Sequence, residues 1–275
     1  MPDVPLPDVP TADGARRVLL VVPTLGRRPE LLRQTLQSIA DQADCPADVV
    51  VVCPQDAEVA LKLAAEFGAE VADDPGGMTA AINLGFARAR PGHVYVNWIG
   101  DDDLLTPGSL AATASALDAA PSAVVAFGYC DYIDDAGRVL FTSRAGRLAP
   151  WLMTWGPNLV PQPGALFRLT AIREVGELDP SLKYAMDLDL LLRLRRRGSF
   201  VNTGRTVSRF RWHPTSTTVA NRTPSLAESE QIKRRYLSPR QRLLAPLWQG
   251  PVRAATRLAA QRVNRLAVRA AATKP

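Results

Sequence analysis

Cysteine and histidine are scarce in this 275-residue chain, with three of the first and two of the second. Cys45, Cys53 and Cys130 are odd in number, far apart and without CxxC spacing or a nearby histidine. Neither a disulfide framework nor a zinc site is indicated, and a reducing cytoplasm fits best. Long apolar runs are missing too: Val18 to Val22 and Val49 to Cys53 stop at strand length, short of the roughly 18 residues that would span a bilayer. No G-x-G-x-x-G follows a strand, which disfavours a dehydrogenase. Acidic residues disappear from one end. Eleven of the 33 Lys and Arg lie between Lys233 and the C-terminus with no acid among them, leaving 22 basic against 27 acidic residues in the rest. The net charge of +6 therefore belongs to the tail, and the mildly acidic body argues against a groove for nucleic acid.

What is present is an ordinary globular composition, 47% apolar and 22% charged. Met1 to Gly14, with Asp3, Asp8, Asp13 and several prolines but no basic residue, reads as a loose tail over residues 1–15 and not as a signal peptide. Four apolar runs, Arg17 to Val22, Val49 to Cys53, Ala69 to Ala72 and His93 to Ile99, alternate with helical patterns, the signature of a parallel sheet with crossover helices. Pro29 opens one helix, whose Leu31, Leu32, Leu36 and Ile39 recur at core-facing spacing. Ala60, Leu61, Ala64 and Phe67 mark a second, ended by Gly68. Pro107 and Gly108 open a third through Leu117. A strand over Ala123 to Tyr129 leads into a turn at Asp135-Ala136-Gly137. Trp151 to Pro163 fits no regular pattern. Gly164 to Arg168 reads as a strand, Ala171 to Val175 as a short helix and Asp187 to Arg197 as a Leu-rich helix. Two strands, near Phe200 to Asn202 and Val207 to Trp212, close this half.

The strand His93 to Ile99 runs through Gly100 into Asp101-Asp102-Asp103, where ligands of open α/β sheets bind. Three adjacent carboxylates repel one another unless a cation neutralises them, and their hard oxygens suit Mg²⁺ or Mn²⁺ gripping a diphosphate. A solvated loop, or a cap of the helix at Pro107, would use the same residues.

The stretch from Val94 to Ser109 resembles the strand and DXD segment of the family 2 glycosyltransferases. In the same order along the chain, Val21-Val22-Pro23-Thr24 with Arg27 resembles that family's first strand and nucleotide loop, and Thr79 to Gly85 its helix before the DXD strand. Tyr184 to Arg193 resembles the segment holding the catalytic base, and Arg211-Trp212-His213 the late Arg-x-His motif. The resemblance implies an α/β chain of GT-A fold, with a mostly parallel central sheet flanked by helices and a C-terminal helical basic tail. It divides the chain into a nucleotide half at residues 16–105, an acceptor half at 106–220 and a basic extension at 221–275. The implied activity is inverting transfer of a sugar from a nucleoside diphosphate donor of UDP or dTDP type to a saccharide or lipid-linked hydroxyl, commonly in bacterial envelope synthesis.

The resemblance also assigns roles. Asp103 and Asp101 would hold the metal, with His213 contacting metal or diphosphate. Pro23, Thr24, Arg27, Asn83, Asp102 and Arg211 would lie by the nucleotide sugar. The family's Asp-Gly-Ser-type loop after the second strand is replaced here by Cys53-Pro54-Gln55-Asp56, so Asp56 and Asp74 both stand as candidates for base recognition, with turn chemistry the competing reading of each. Asp187, at the start of the Leu-rich helix, is the candidate base, which a helix N-terminus would keep ionised; a plain N-cap is the competing reading. Asp189 points elsewhere and pairs with Arg193 at i+4 on the surface. Trp155, with Trp151, and Gln162 sit in the irregular stretch where an acceptor would enter, although tryptophans there could equally be core.

In the tail, Arg253, Arg257, Arg262, Arg265 and Arg269 fall on one side of a helical wheel from Val252 to Ala270. Such helices lie on anionic membranes, which would put the chain on the inner face of the plasma membrane; packing on the body or a disordered tail competes with that reading. Rival activities are a nucleotidylyltransferase, whose Gly-rich phosphate loop Thr24 to Arg28 lacks, and an inactive sugar-binding protein of the same fold.

Overall fold

The computed structural model describes residues 17–146, 148–212 and 222–272. The N-terminal tail expected at residues 1–15 and His213 lie outside them. The first half alternates as its sequence pattern dictates: β1 (Val18–Pro23), α1 (Pro29–Ala40), β2 (Ala47–Cys53), α2 (Glu58–Glu66), β3 (Glu70–Asp73), α3 (Met78–Phe86) and β4 (Tyr95–Trp98). These strands lie parallel in the order β3-β2-β1-β4. Pro29 opens α1, which buries Leu32, Thr35, Leu36 and Ile39. Gly68, at φ 65°, lets the chain reverse after α2, a conformation open to glycine without a Cβ penalty.

Beyond β4 come β5 (Leu104–Leu105), α4 (Ser109–Asp118), β6 (Ala123–Ile133), β7 (Val139–Ser143), α5 (Ala149–Leu152), β8 (Leu166–Arg168), α6 (Leu169–Val175), α7 (Met186–Leu194) and β9 (Ser199–Arg211). The sheet continues β4-β8-β6-β9-β5, with β7 on β6, and its pairing becomes mixed: β8 is antiparallel to both neighbours, and β6 and β9 are parallel. The single sheet therefore runs through both expected halves of the domain. Along β1, Leu19 and Val21 enter one core while Val18, Leu20 and Val22 enter another, so helices cover both faces.

Two local expectations need correction. The two closing strands are one, because Asn202-Thr203-Gly204 is a bulge and not a break. Gly204 takes φ 68°, its N–H donates to Asn202 Oδ1 at 2.7 Å, and the register with β6 shifts while pairing resumes. Asp189 does pair with Arg193, at 2.8 Å, but not as a surface pair: Asp189 is buried and Arg193 half-buried, and Arg193 also donates to the carbonyls of Val175, Gly176 and Glu177. The basic helical extension expected at 221–275 is formed by α8 (Arg222–Tyr236) and α9 (Pro239–Ala272), and it packs on the body through buried Ile232, Leu237, Ala245 and Val263.

Helix α3 approaches β1 where Gly85 has no side chain: a Cβ there would stand 2.4 Å from Val21 Cγ1. Gly85→Ala is expected to cost about 1–3 kcal/mol and to lower the thermal unfolding midpoint; an unchanged midpoint would mean that α3 does not lie this close.

Candidate active site

The acidic cluster is positioned by pairing at the far edge of the sheet. Leu104 and Leu105 of β5 lie opposite Arg209 and Ser208 of β9, which carries the preceding aspartates alongside Arg211. The Arg211 N–H donates to Asp103 Oδ1 at 2.9 Å and its Nε to the Asp102 carbonyl at 3.0 Å. The rest of its guanidinium reaches the carbonyls of Asp134 and Asp135 and Gln34 Oε1, each at 3.0 Å. Arg211 is 1% exposed. Its planar fork suits these four directed side-chain bonds, which a lysine could not make. Expected beside the nucleotide, it lines the cleft and also ties the acidic loop to α1 and to the turn after β6. From α1, Thr35 Oγ1 donates to the Asp103 carbonyl at 2.8 Å.

Asp101 receives Thr24 Oγ1 on Oδ2 at 2.6 Å, and the Arg28 guanidinium bridges Asp101 Oδ1 at 2.5 Å and Asp102 Oδ2 at 2.6 Å. Burial raises the Asp101 carboxyl above the usual range despite the Thr24 and Arg28 bonds, which favour its charge. Asp103 stands well above that range, through burial first and then repulsion from Asp102. Both shifts describe acids short of positive charge. Mg²⁺ typically takes one or two protein carboxylates and fills its octahedron with water and substrate phosphate, so Asp103 and Asp101 fit such an ion. Among the described residues no group of three or more His, Cys, Asp or Glu is arranged to hold a metal ion, so any such ion would take only one or two protein carboxylates.

Asp187 lines the same cleft of about 1010 Å³ as Asp101, Asp102 and Asp103. That volume is at the top of the roughly 300–1,000 Å³ usual for ligand sites. Asp187 is the second residue of α7, after the N-cap Ala185, so it is not itself a cap. Asn158 Nδ2 donates to its Oδ2 at 3.1 Å. The helix terminus favours its charged form as expected, through backbone bonds from Leu188 and Asp187, but burial outweighs them and raises the carboxyl.

The remaining expected residues divide. Pro23, Thr24, Arg27, Asp74, Trp155 and Gln162 line the cleft. Asp74 also closes a turn by accepting from Gly76 N–H at 3.0 Å. Gln162 braces the end of β4 through Asn97 Oδ1 and the Trp98 carbonyl, at 3.0 and 2.7 Å. Asp56 and Asn83 do not line it. Asp56 is exposed in the turn before α2, and Asn83 clamps the Leu178 backbone with both ends of its amide, at 2.8 and 3.0 Å. Residues not foreseen are Arg28, Asn158, Lys183, Lys233 and Trp248. Arg28 adjoins the expected Arg27 just ahead of Pro29, and that adjacency was its signal. Trp248 of α9 meets Trp155 edge to face at 5.3 Å, so the tail forms part of the cleft wall.

The model of the glycosyl transferase family 2 matches residues 19–166, more than half of the chain. The chain belongs to this family. A mannosyltransferase of Pyrobaculum calidifontis, PcManGT, solved with GDP-Man and Mn²⁺, is similar with a TM-score of 0.64 at 18% identity, over 97% of this chain and 78% of that one. S. aureus TarS (1–349) with UDP-GlcNAc is similar with a TM-score of 0.60 at 16% identity, over 78% of this chain. The family member described here spans 65% of that TarS chain, less than two thirds of its length. These likenesses establish the GT-A fold. No curated protein sequence matches the chain.

Replacing Arg211 by Met keeps the backbone N–H on Asp103 but leaves the buried carbonyls of Asp102, Asp134 and Asp135 and Gln34 Oε1 without their guanidinium donor. A loss of about 3–5 kcal/mol in urea unfolding is expected; a loss under ~1 kcal/mol would deny Arg211 its role in holding the acidic loop.

Proposed function

We propose that this chain is an inverting glycosyltransferase that moves a sugar from a nucleoside diphosphate sugar of UDP or dTDP type to an acceptor hydroxyl. The observation that carries the reading is the presence of Asp187 and the Asp101–Asp103 cluster in one cleft. The ligands named for the similar structures, UDP-GlcNAc and GDP-Man, are both nucleoside diphosphate sugars.

Asp103 and Asp101 would hold Mg²⁺ or Mn²⁺, and the bound ion would offset the charge growing on the departing diphosphate. Thr24 fixes the orientation of Asp101, and Arg28 adds a positive charge beside the same carboxylates. Asp187 takes the acceptor proton as the hydroxyl oxygen attacks the anomeric carbon from the side opposite the diphosphate. Asn158 orients the carboxylate. Trp155 and Trp248 offer an aromatic face to the acceptor sugar.

Thermal-shift measurements with UDP and dTDP, with and without Mn²⁺, test the division of labour. Asp103→Ala is expected to remove the metal-dependent part of the shift. Asp187→Asn should keep the nucleotide shift and lower transfer by roughly 10²-fold or more; retained transfer would remove Asp187 as the base. The raised Asp187 carboxyl must be ionised to work, so kcat/KM should fall on the acid side at a pH above the ordinary aspartate range.

An acceptor carried on lipid is supported by the outer side of α9, where Leu243 and Leu247 are 82% and 73% exposed among the tail's arginines. Trp151, half exposed, neighbours Trp155 at 6.4 Å and so lies near this face. No helix among the described residues is long and apolar enough to cross a membrane. Such a surface suits peripheral attachment to an anionic bilayer during envelope polysaccharide or glycolipid synthesis. In flotation with phosphatidylglycerol-containing vesicles, the intact chain should rise and a Leu243→Ser/Leu247→Ser variant should stay behind; equal recovery of the two would exclude attachment by this face.

A further inference from the structure

Helix α7 lacks a side-chain cap of its own, since Ala185 occupies the N-cap. The missing acceptor arrives from far along the chain. Glu228 Oε1 accepts from Lys183 N–H at 3.0 Å, and Oε2 accepts from Tyr184 N–H at 2.6 Å and Ala185 N–H at 2.7 Å. Three backbone donors converging on one carboxylate make charge-assisted bonds, each roughly twice as strong as a neutral one. Lys233, further along α8, donates to the Gly156 carbonyl in the irregular segment that also supplies Asn158. One helix thus grips both the lead-in to Asp187 and the segment whose amide bonds the Asp187 carboxylate. Helix α8 is well placed to act as an anchor, because Ile232 is fully buried and the Tyr236 hydroxyl donates to Asp189 at 3.3 Å.

We propose that Glu228 is a positioning residue for transfer: by fixing the three N–H groups ahead of α7 it sets where the Asp187 carboxylate stands in the cleft. The proposal rests on Asp187 being the base. It makes the C-terminal extension part of the catalytic apparatus and not an appendage. Glu228 also acts on Asp187 through space, its negative charge disfavouring a second one nearby. Other charged groups sharing the cleft are Lys183 ahead of α7, Glu230 and Lys233 on α8, and Arg253 on α9. From the nucleotide side come Asp74, Arg27, Arg28, Arg211 and the acidic cluster. Removing the Glu228 charge while those stay in place should ease ionisation of Asp187 and lower its pKa.

The test compares Glu228→Ala, Glu228→Gln and Asp187→Asn in the full chain. Nucleoside diphosphate release from UDP-glucose, UDP-galactose, UDP-GlcNAc and dTDP-rhamnose with Mn²⁺ is followed across pH, and UDP binding is measured in parallel. Glu228→Ala should lower kcat roughly tenfold or more with donor KM and UDP affinity within about twofold of wild type, as misplacement of a reacting group does. Glu228→Gln, which keeps one acceptor oxygen and loses the charge, should be milder and should move the acid limb to lower pH. A ¹³C-detected NMR titration of Asp187 needs no donor, and its midpoint should fall in Glu228→Gln, which also serves if the alanine variant does not fold. Wild-type kcat in Glu228→Ala, an unmoved Asp187 midpoint, or a parallel loss of kcat and UDP binding would overturn the proposal. If Asp187→Asn keeps full turnover, the base reading itself fails; if only the Glu228 variants behave as wild type, the positioning role fails alone.

Discussion

A buried guanidinium among backbone carbonyls sets the geometry on which the cleft depends. Three consecutive carboxylates at the end of β4 would splay apart in water, yet two of them, Asp101 and Asp103, are buried. They stay in place because Arg211 binds the loop through both its main chain and its side chain, and because Arg28 bridges Asp101 and Asp102 on the other side. The same Arg211 bonds reach α1 through Gln34 and the turn after β6 through Asp134 and Asp135. Fixing the charge of the site therefore also fixes three surrounding elements. Burial first, with repulsion between neighbouring acids added, raises both carboxyls above the usual range, a tension that a divalent cation would relieve.

The second wall is built differently. Helix α7 ends up with its start in the cleft because Thr79 of α3 donates to the Leu182 carbonyl at 3.1 Å, while Glu228 of α8 collects the N–H groups just beyond. The candidate base thus depends on contacts from both ends of the chain. This arrangement explains why α8 and α9 pack on the body although much of their surface is arginine, alanine and exposed leucine. Their inner side carries Glu228, Ile232, Lys233 and Trp248, which meet the domain, and their outer side is left for another surface.

Much of the fold was legible because periodicity reports directly on burial. The four parallel strands, α1 with its leucines and the turn at Asp135-Ala136-Gly137 follow local rules that the tertiary structure does not override. The acidic cluster and Asp187 were legible as residue types at the ends of elements, where open sheets bind ligands. Contacts between distant residues were not. Arg28 and Arg27 are adjacent and chemically identical in sequence, and only the fold selects the one that reaches Asp101. Arg211 reads only as a cleft residue until its carbonyl partners, distant in sequence, show that it also holds the acidic loop. Asn158 sits in a stretch without period, and Glu228 in a helix whose local pattern names no target. The tail's charge was countable, but its packing depended on single residues such as Ile232 that composition hides.

The central claim is that the acidic cluster and Asp187 work on one and the same pyrophosphate. It is tested most directly by a crystal structure of the chain soaked with Mn²⁺ and UDP, using manganese anomalous scattering to locate the ion. The signal is expected on Asp103 with Asp101 or a bridging water, the diphosphate against it and the Asp187 carboxylate turned into the space left for the sugar and acceptor. Manganese bound elsewhere, or a diphosphate lying beyond the reach of Asp187, would contradict it.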